Sequence, residues 1–221
     1  MKPIEIQLTY DFICPWCWIG HRHLQAALAQ APSDTAMAIR YLPYELNPDM
    51  PKDGADRKAY RSAKFGSWAR SQAMDAQVAL AGRRTGAEFH YDRVAVTPNT
   101  RLAHRLMFFA AGKGDAASTE ALFESVFHAY FSEGQDIGQA ELLAALASRA
   151  GFEAQEVRRF LATSAGEREV VAAERQAQLG GVRSVPTLRI GNTLISGAQP
   201  AAALADALRQ AAAQNAAAPG A

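Results

Sequence analysis

The residues best suited to chemistry lie in one window, Cys14-Pro15-Trp16-Cys17, which holds both cysteines of the 221-residue chain. Cysteines this close cannot tie distant segments together, so their use must be reactive: a dithiol that cycles with its disulfide. Proline suits the first turn of a helix, where its missing N–H would be unpaired anyway. The motif therefore reads as a helix start, with the first sulfur at the orphan N–H groups. The second sulfur lies one turn further on, within disulfide reach. A helix dipole favours a thiolate there by roughly 0.3–1 kcal/mol; stronger activation needs direct N–H···S contacts from the backbone near Trp16 and Cys17. Cys14 is expected at the exposed end as the nucleophile. Cys17 shares a stripe with Leu24 and Leu28 and is expected to be the shielded, resolving thiol.

Three neighbouring features bear on this reading. Cys14, Cys17, His21 and His23 offer four zinc-type ligands, yet His23 falls off the shared helical face, and structural zinc ligands come from separated loops. No metal is expected, and both histidines are read as exposed polar residues of the helix. Asp11 either accepts a proton when Cys17 attacks or caps the helix start, the second being preferred. Pro186, in Ser184-Val185-Pro186-Thr187 ahead of a β-prone run, is read as a cis proline. It would bring the Val185 backbone beside Cys14, ready to pair with an extended substrate; the competing reading is an ordinary trans turn.

The elements that must position these residues follow from periodicity. Ile4, Ile6, Leu8 and Tyr10 alternate with polar residues, as in a strand with one buried face. The motif helix runs to about Gln30, where Pro32-Ser33-Asp34 stops it, and Met37, Ile39 and Tyr41 mark a second strand. Helices are predicted over Arg57 to Arg83, Asn99 to Ala111, Ser118 to Phe131, Gln139 to Ala150, Ala154 to Leu161 and Glu167 to Leu179, with an irregular stretch from Glu88 to Pro98. Phe108, Phe109, Phe123, Phe127, Tyr130 and Phe131 read as the core of a helical subdomain. Thr187 to Ile190 and Thr193 to Ser196, joined by Gly191-Asn192, read as a hairpin. A last helix starts near Pro200, and the Ala-rich tail from Ala211 is expected to fray.

This order, strand-helix-strand, helices, hairpin, helix, predicts an α/β thioredoxin-like fold with an inserted all-helical subdomain. The β-α-β start calls for a parallel pair, and the end adds an antiparallel hairpin. The expected division is 1–50 and 166–212 for the thioredoxin-like part, 51–165 for the insertion and 213–221 for a disordered tail. Net charge is +1, and Lys and Arg are scattered, so neither nucleic acid nor a membrane surface is an expected partner. No window approaches a membrane span, and the N-terminus shows no secretory h-region. A cytoplasmic protein is therefore expected.

Asp11-Phe12-Ile13-Cys14-Pro15-Trp16-Cys17-Trp18-Ile19-Gly20, Asn99-Thr100-Arg101 with His104, Val182-Arg183-Ser184-Val185-Pro186-Thr187 and Ser196-Gly197-Ala198-Gln199-Pro200 together resemble the DsbA family, most of all its FrnE-like branch, described as polyketide-biosynthesis dithiol–disulfide isomerases. The resemblance runs from about Ile4 to Gln210. It implies Cys14 as nucleophile, Cys17 as resolver, Pro15, Trp16 and the cis proline Pro186 as supports, and Ser184 and Val185 on the substrate side. Ser184 replaces the more usual glycine or threonine, and Trp16 the histidine of oxidising periplasmic members. Related kappa-class glutathione transferases and 2-hydroxychromene-2-carboxylate isomerases carry serine in place of Cys14. A glutathione pocket of their kind could use Asn99, Arg101 and His104; the other reading is a helix cap and surface polar residues.

The expected activity is thiol–disulfide exchange on protein or small-molecule disulfides. No cofactor is required, glutathione is a candidate thiol partner, and a second copy of the chain is a further candidate partner. A glutathione-dependent transferase or isomerase and a client-binding chaperone are the alternatives.

Overall fold

The computed structural model describes residues 3–31 and 36–217. The expected stop at Pro32-Ser33-Asp34 and the end of the tail, 218–221, lie outside the described residues. Strand β1 (Ile4–Tyr10) buries Ile4, Ile6, Leu8 and Tyr10 and exposes Glu5, as its alternation demands. It pairs in parallel with β2 (Met37–Pro43), from Ile4↔Met37 to Tyr10↔Pro43, across the helix α1 (Pro15–Leu28). On its other side β1 runs antiparallel to β5 (Thr187–Ile190), which forms a hairpin with β6 (Thr193–Ser196). The sheet order is thus β2-β1-β5-β6. Gly191, at φ +56°, supplies the left-handed backbone that this two-residue turn requires.

Between β2 and α8 (Glu167–Leu179) lie α2 (Arg57–Phe65), α3 (Trp68–Arg83), α4 (Arg101–Lys113), α5 (Ala116–Phe131), α6 (Ala140–Arg149) and α7 (Ala154–Leu161). The single helix expected from Arg57 to Arg83 is two. Gly66 adopts φ +91° and ends α2, and the Ser67 side chain accepts from the Arg70 N–H to start α3. The stretch from Glu88 to Pro98 contains β4 (Val96–Thr97), which pairs with β3 (Ala55–Asp56). Two-residue strands are too short for any periodicity to reveal. The closing helix α9 (Ala201–Ala217) packs on α1, β1 and β5. Ala211 was expected to fray, but it is buried in the register of Leu204 and Leu208, and the helix continues through 213–217. The stripe Leu204, Leu208 and Ala211 anchors the helix up to Ala211.

The aromatic residues form a different core from the one expected. Phe108 is 44% exposed. The other five are buried, and they do not make a separate helical core. Phe123 of α5 lies 4.8 Å from Tyr10 ring to ring, and Phe127 lies 4.9 Å from Phe12. One continuous cluster therefore joins the end of β1 to α4, α5 and α6. A helical face that would be half-buried alone gains its burial by closing over the strand that leads into Cys14. Phe123→Ala should lower stability by about 3–5 kcal/mol. Urea unfolding followed by far-UV and near-UV circular dichroism should stay a single coincident transition; two separated transitions would mean that sheet and insertion have independent cores.

Candidate active site

Strand β1 ends in a turn in which the Cys14 N–H donates to the Asp11 carbonyl at 3.0 Å, and Cys14 becomes the extended N-cap of α1. Pro15 opens the helix, and the Cys17 N–H donates to the Cys14 carbonyl at 3.0 Å. Both cysteines are free thiols, one helical turn apart at the start of α1. Across from them the Val185–Pro186 peptide is cis. The Cys14 Sγ–H donates to the Val185 carbonyl at 3.5 Å. The Pro186 carbonyl accepts from Gly197 N–H, and the Thr187 hydroxyl donates to the Ser184 carbonyl, so this loop is held at both ends. Gly20 of α1 permits its approach: a Cβ there would stand 3.2 Å from Pro186 Cγ and 3.5 Å from Ala198.

The expectation that Cys14 stands exposed needs correction. It is 6% exposed, because the Val185 carbonyl lies over its sulfur, whereas Trp16 is 42% exposed. Ser184 is exposed, Val185 and Pro15 half-buried, and Pro186 buried. Cys17 is wholly buried. Burial above all, and then the neighbouring Cys14 thiol, push the Cys17 thiol well above its ordinary range; the Asp11 backbone N–H opposes this.

Asp11 does not cap α1, which has no side-chain cap at all. Its carboxylate is fully buried, accepts from Leu46 N–H at 2.7 Å and lies 3.3 Å from His104 Nε2. His21, expected on the surface, is also fully buried: its ring lies 2.6 Å from Glu124 and 3.1 Å from the Tyr41 hydroxyl. Glu124 also accepts from Trp18 Nε1 and pairs with Arg22, tying three residues of α1 to α5. Burial alone would raise the Glu124 carboxyl, but His21, Trp18 and Arg22 together hold it below its usual range. With the His21 ring so engaged, it is not a ligand beside the cysteines.

Asn99, Arg101 and His104 do not converge on the thiols. The Asn99 side chain accepts from Arg101 N–H and donates to the Met50 carbonyl, so it ties the residue before the Thr100 N-cap of α4 to the loop at Met50. Arg101 makes a forked hydrogen bond to the buried Glu45. His104, anticipated as either a glutathione contact or a surface residue, is 1% exposed. Glu45 escaped the sequence reading because no motif surrounds it; its N–H donates to Glu174, whose carboxyl is raised by burial.

A four-stranded sheet with a C-x-x-C at the first helix start and a cis X–Pro beside the leading thiol defines a thioredoxin-type dithiol site. Residues 5–209 match the DSBA-like thioredoxin domain family, and the chain belongs to it. It is 28% identical over 202 residues to the uncharacterised protein YwbO of Bacillus subtilis, covering 88% of this chain and 90% of that one. The structure superimposes on a probable DsbA oxidoreductase from Streptomyces coelicolor with a TM-score of 0.87 and 29% identity, over 99% of this chain and 93% of that one. The cytosolic disulfide reductase DsbM of Pseudomonas aeruginosa, solved with GSH, shares the fold at a TM-score of 0.61 and 17% identity, over 96% and 98% of the two chains. The expected α/β thioredoxin-like fold of the DsbA type is thus the observed one.

The raised Cys17 thiol and the raised phenols of Tyr10, Tyr41, Tyr91 and Tyr130, all shifted chiefly by burial, have a common consequence. Groups that hold protons more tightly when folded add stability below their unfolded pKa and lose it as pH rises towards the folded one. Urea midpoints should therefore fall once pH exceeds about 8.5, the free thiol value, and more steeply beyond about 10, where free phenols ionise. Cys17→Ala should remove the first part of that fall and spare the second.

Proposed function

We propose that this protein is a dithiol–disulfide oxidoreductase acting on protein or small-molecule disulfides through Cys14 and Cys17. Cys14 attacks a substrate sulfur and forms a mixed disulfide. Cys17 then attacks Cys14, leaving an intramolecular disulfide and a released substrate thiol. The observation that carries this reading is the pair of free thiols one helical turn apart, one wholly buried and the other lying under the carbonyl that precedes the cis proline. Removing that carbonyl's hydrogen bond to Cys14 would free it to accept from an extended substrate backbone, while exposed Trp16 and Ser184 flank the approach.

The exchange needs only the two sulfurs and a thiol or disulfide partner, and glutathione serves as the small-thiol partner in this proposal. DsbM, a cytosolic disulfide reductase by its description, was solved with GSH and shares the fold. We place this protein in the cytoplasm as well; no described helix is long and apolar enough to cross a membrane. Because Asn99 and Arg101 are engaged by the protein itself, a pocket that holds glutathione through them is the weaker reading.

Two measurements test the proposal. Cys14→Ser should abolish reduction of a model protein disulfide, whereas Cys17→Ser should accumulate a mixed disulfide visible by intact mass. Full activity in Cys14→Ser would overturn the redox reading in favour of client binding, and glutathione conjugation without disulfide reduction would favour a transferase. Equilibration of the Cys14–Cys17 pair with a glutathione buffer gives the direction of electron flow: a potential near about −270 mV marks a reductant and one near about −120 mV an oxidant.

A further inference from the structure

Strand β2 is an edge of the sheet, and its outer side pairs with no strand among the described residues. Its two ends fix which backbone groups face outwards. The Ala36 carbonyl accepts from Ile4 N–H, and the Tyr44 N–H donates to the Tyr10 carbonyl, both towards β1. Backbone groups alternate in direction along a strand, so Ala38, Arg40 and Leu42 face β1 as well. Met37, Ile39 and Tyr41 therefore turn their N–H and carbonyl groups outwards, and none of the described residues hydrogen-bonds to these. An edge of this length invites a further strand unless something covers or interrupts it. Here the one charged side chain is Arg40, and the one proline, Pro43, closes the strand.

That edge borders a groove of about 1270 Å³, which every residue of β2 lines. Its other walls come from α4, α5, α7 and α8, with Met107, Phe108, Phe160 and Val170 supplying apolar surface. Phe108, 44% exposed, is the one phenylalanine of α4 and α5 left open to solvent. Neither cysteine lines the groove, but β2 ends with Pro43 beside Tyr10, on the strand that runs into Cys14. The charges along the groove are of both signs, with Arg40, Lys113 and Arg159 set among Glu120, Glu156 and Glu169, while Asp115 is spent on the α5 N-cap. A ligand of one net charge gains little from such a mixture. A neutral, apolar chain with amide groups to spare matches both the walls and the edge.

Resting on the dithiol reading above, we propose that the outer edge of β2 takes an extended segment of an unfolded client polypeptide as an added strand. The outward N–H and carbonyl groups of Met37, Ile39 and Tyr41 repeat about every 6.6 Å, the repeat of another extended chain. Main-chain bonds to them read no sequence, while the aromatic wall favours segments with large apolar side chains. A client disulfide is thus held against the sheet while Cys14 exchanges with it. The walls argue against a second copy as the occupant, since an identical β2 brings its own α4, α5, α7 and α8 with it. A lone unfolded segment carries no such flanks.

The test adds reduced, carboxamidomethylated ribonuclease A, an unfolded chain with no thiol or disulfide, to the reduced full-length protein. Amide exchange followed by NMR should then slow by about tenfold or more at Met37, Ile39 and Tyr41. Ala38, Arg40 and Leu42, already bonded to β1, should change little. Ile39→Pro removes an outward N–H that the ladder does not use, and edge strands tolerate such a proline. Binding of the unfolded chain, read by fluorescence anisotropy, should weaken about tenfold in that variant. Phe108→Ala, at an exposed position, should weaken it by a similar factor with the circular dichroism spectrum unchanged. Protection confined to residues around Trp16 and Ser184, or binding indifferent to both variants, would overturn the added strand and leave the dithiol reading intact. Protection of the same amides that needs no unfolded chain and grows with protein concentration would overturn it in favour of a second copy. A separate outcome, no reaction of the unaltered protein with Ellman's reagent, would overturn the dithiol reading and with it the substrate role of the bound segment.

Discussion

The site depends on one constraint: the last residues of β1 must end in a fixed place while carrying more polar chemistry than a strand end usually buries. Tyr10 and Phe12 are gripped by Phe123, Phe127 and the His104 ring. Between them Asp11 spends its side chain on Leu46 and His104 and its carbonyl on Cys14. Strand side chains alternate between faces, so a slip of one residue in β1 would turn Tyr10 out of the aromatic cluster and displace the turn that carries Asp11 and Cys14. Aromatic packing of Tyr10 and Phe12 and the hydrogen bonds of Asp11 thus hold the strand end and the turn after it in one place.

That constraint explains how α1 can start with no side-chain cap. Helices normally satisfy their first N–H groups with Ser, Thr, Asp or Asn, and a cysteine at that position leaves them for sulfur chemistry. The helix is held instead by the carboxylate of Glu124, which takes Trp18, His21 and Arg22 from α1. The insertion therefore anchors the redox helix as well as covering the sheet. A second carboxylate, Glu45, fastens the chain after β2 to α4 through Arg101 and to α8 through Glu174. Charges buried as deeply as these persist only where partners surround them, and here the partners come from both parts of the fold.

What the sequence disclosed and what it withheld divide along physical lines. The period-two alternation of Ile4 to Tyr10, the Gly191-Asn192 turn and the C-x-x-C ahead of a helical stripe are local signals, and each has its expected counterpart in the structure. His21 and His104 were misjudged because a histidine looks the same in sequence whether it faces water or a buried carboxylate 103 or 93 residues away. Glu45 and Glu124 are unremarkable by type and by spacing; only the fold brings their partners together. Gly66 divided a helix that composition alone would have continued, since neighbouring residues favour helix on both sides.

The two sulfurs differ less in sequence position than in what surrounds them, and this difference divides the chemistry. Cys14 and Cys17 are three residues apart, one helical turn, yet one meets a backbone carbonyl at a loop whose Ser184 is exposed, while the other is sealed among core residues. A partner can reach the first only by displacing the Val185 carbonyl from it, so access and backbone recognition are coupled in one hydrogen bond. Nothing external can reach the second at all. Its nearest reactive neighbour is then the other sulfur, one helical turn away, so the division between an approachable and a sealed thiol is built into the start of α1.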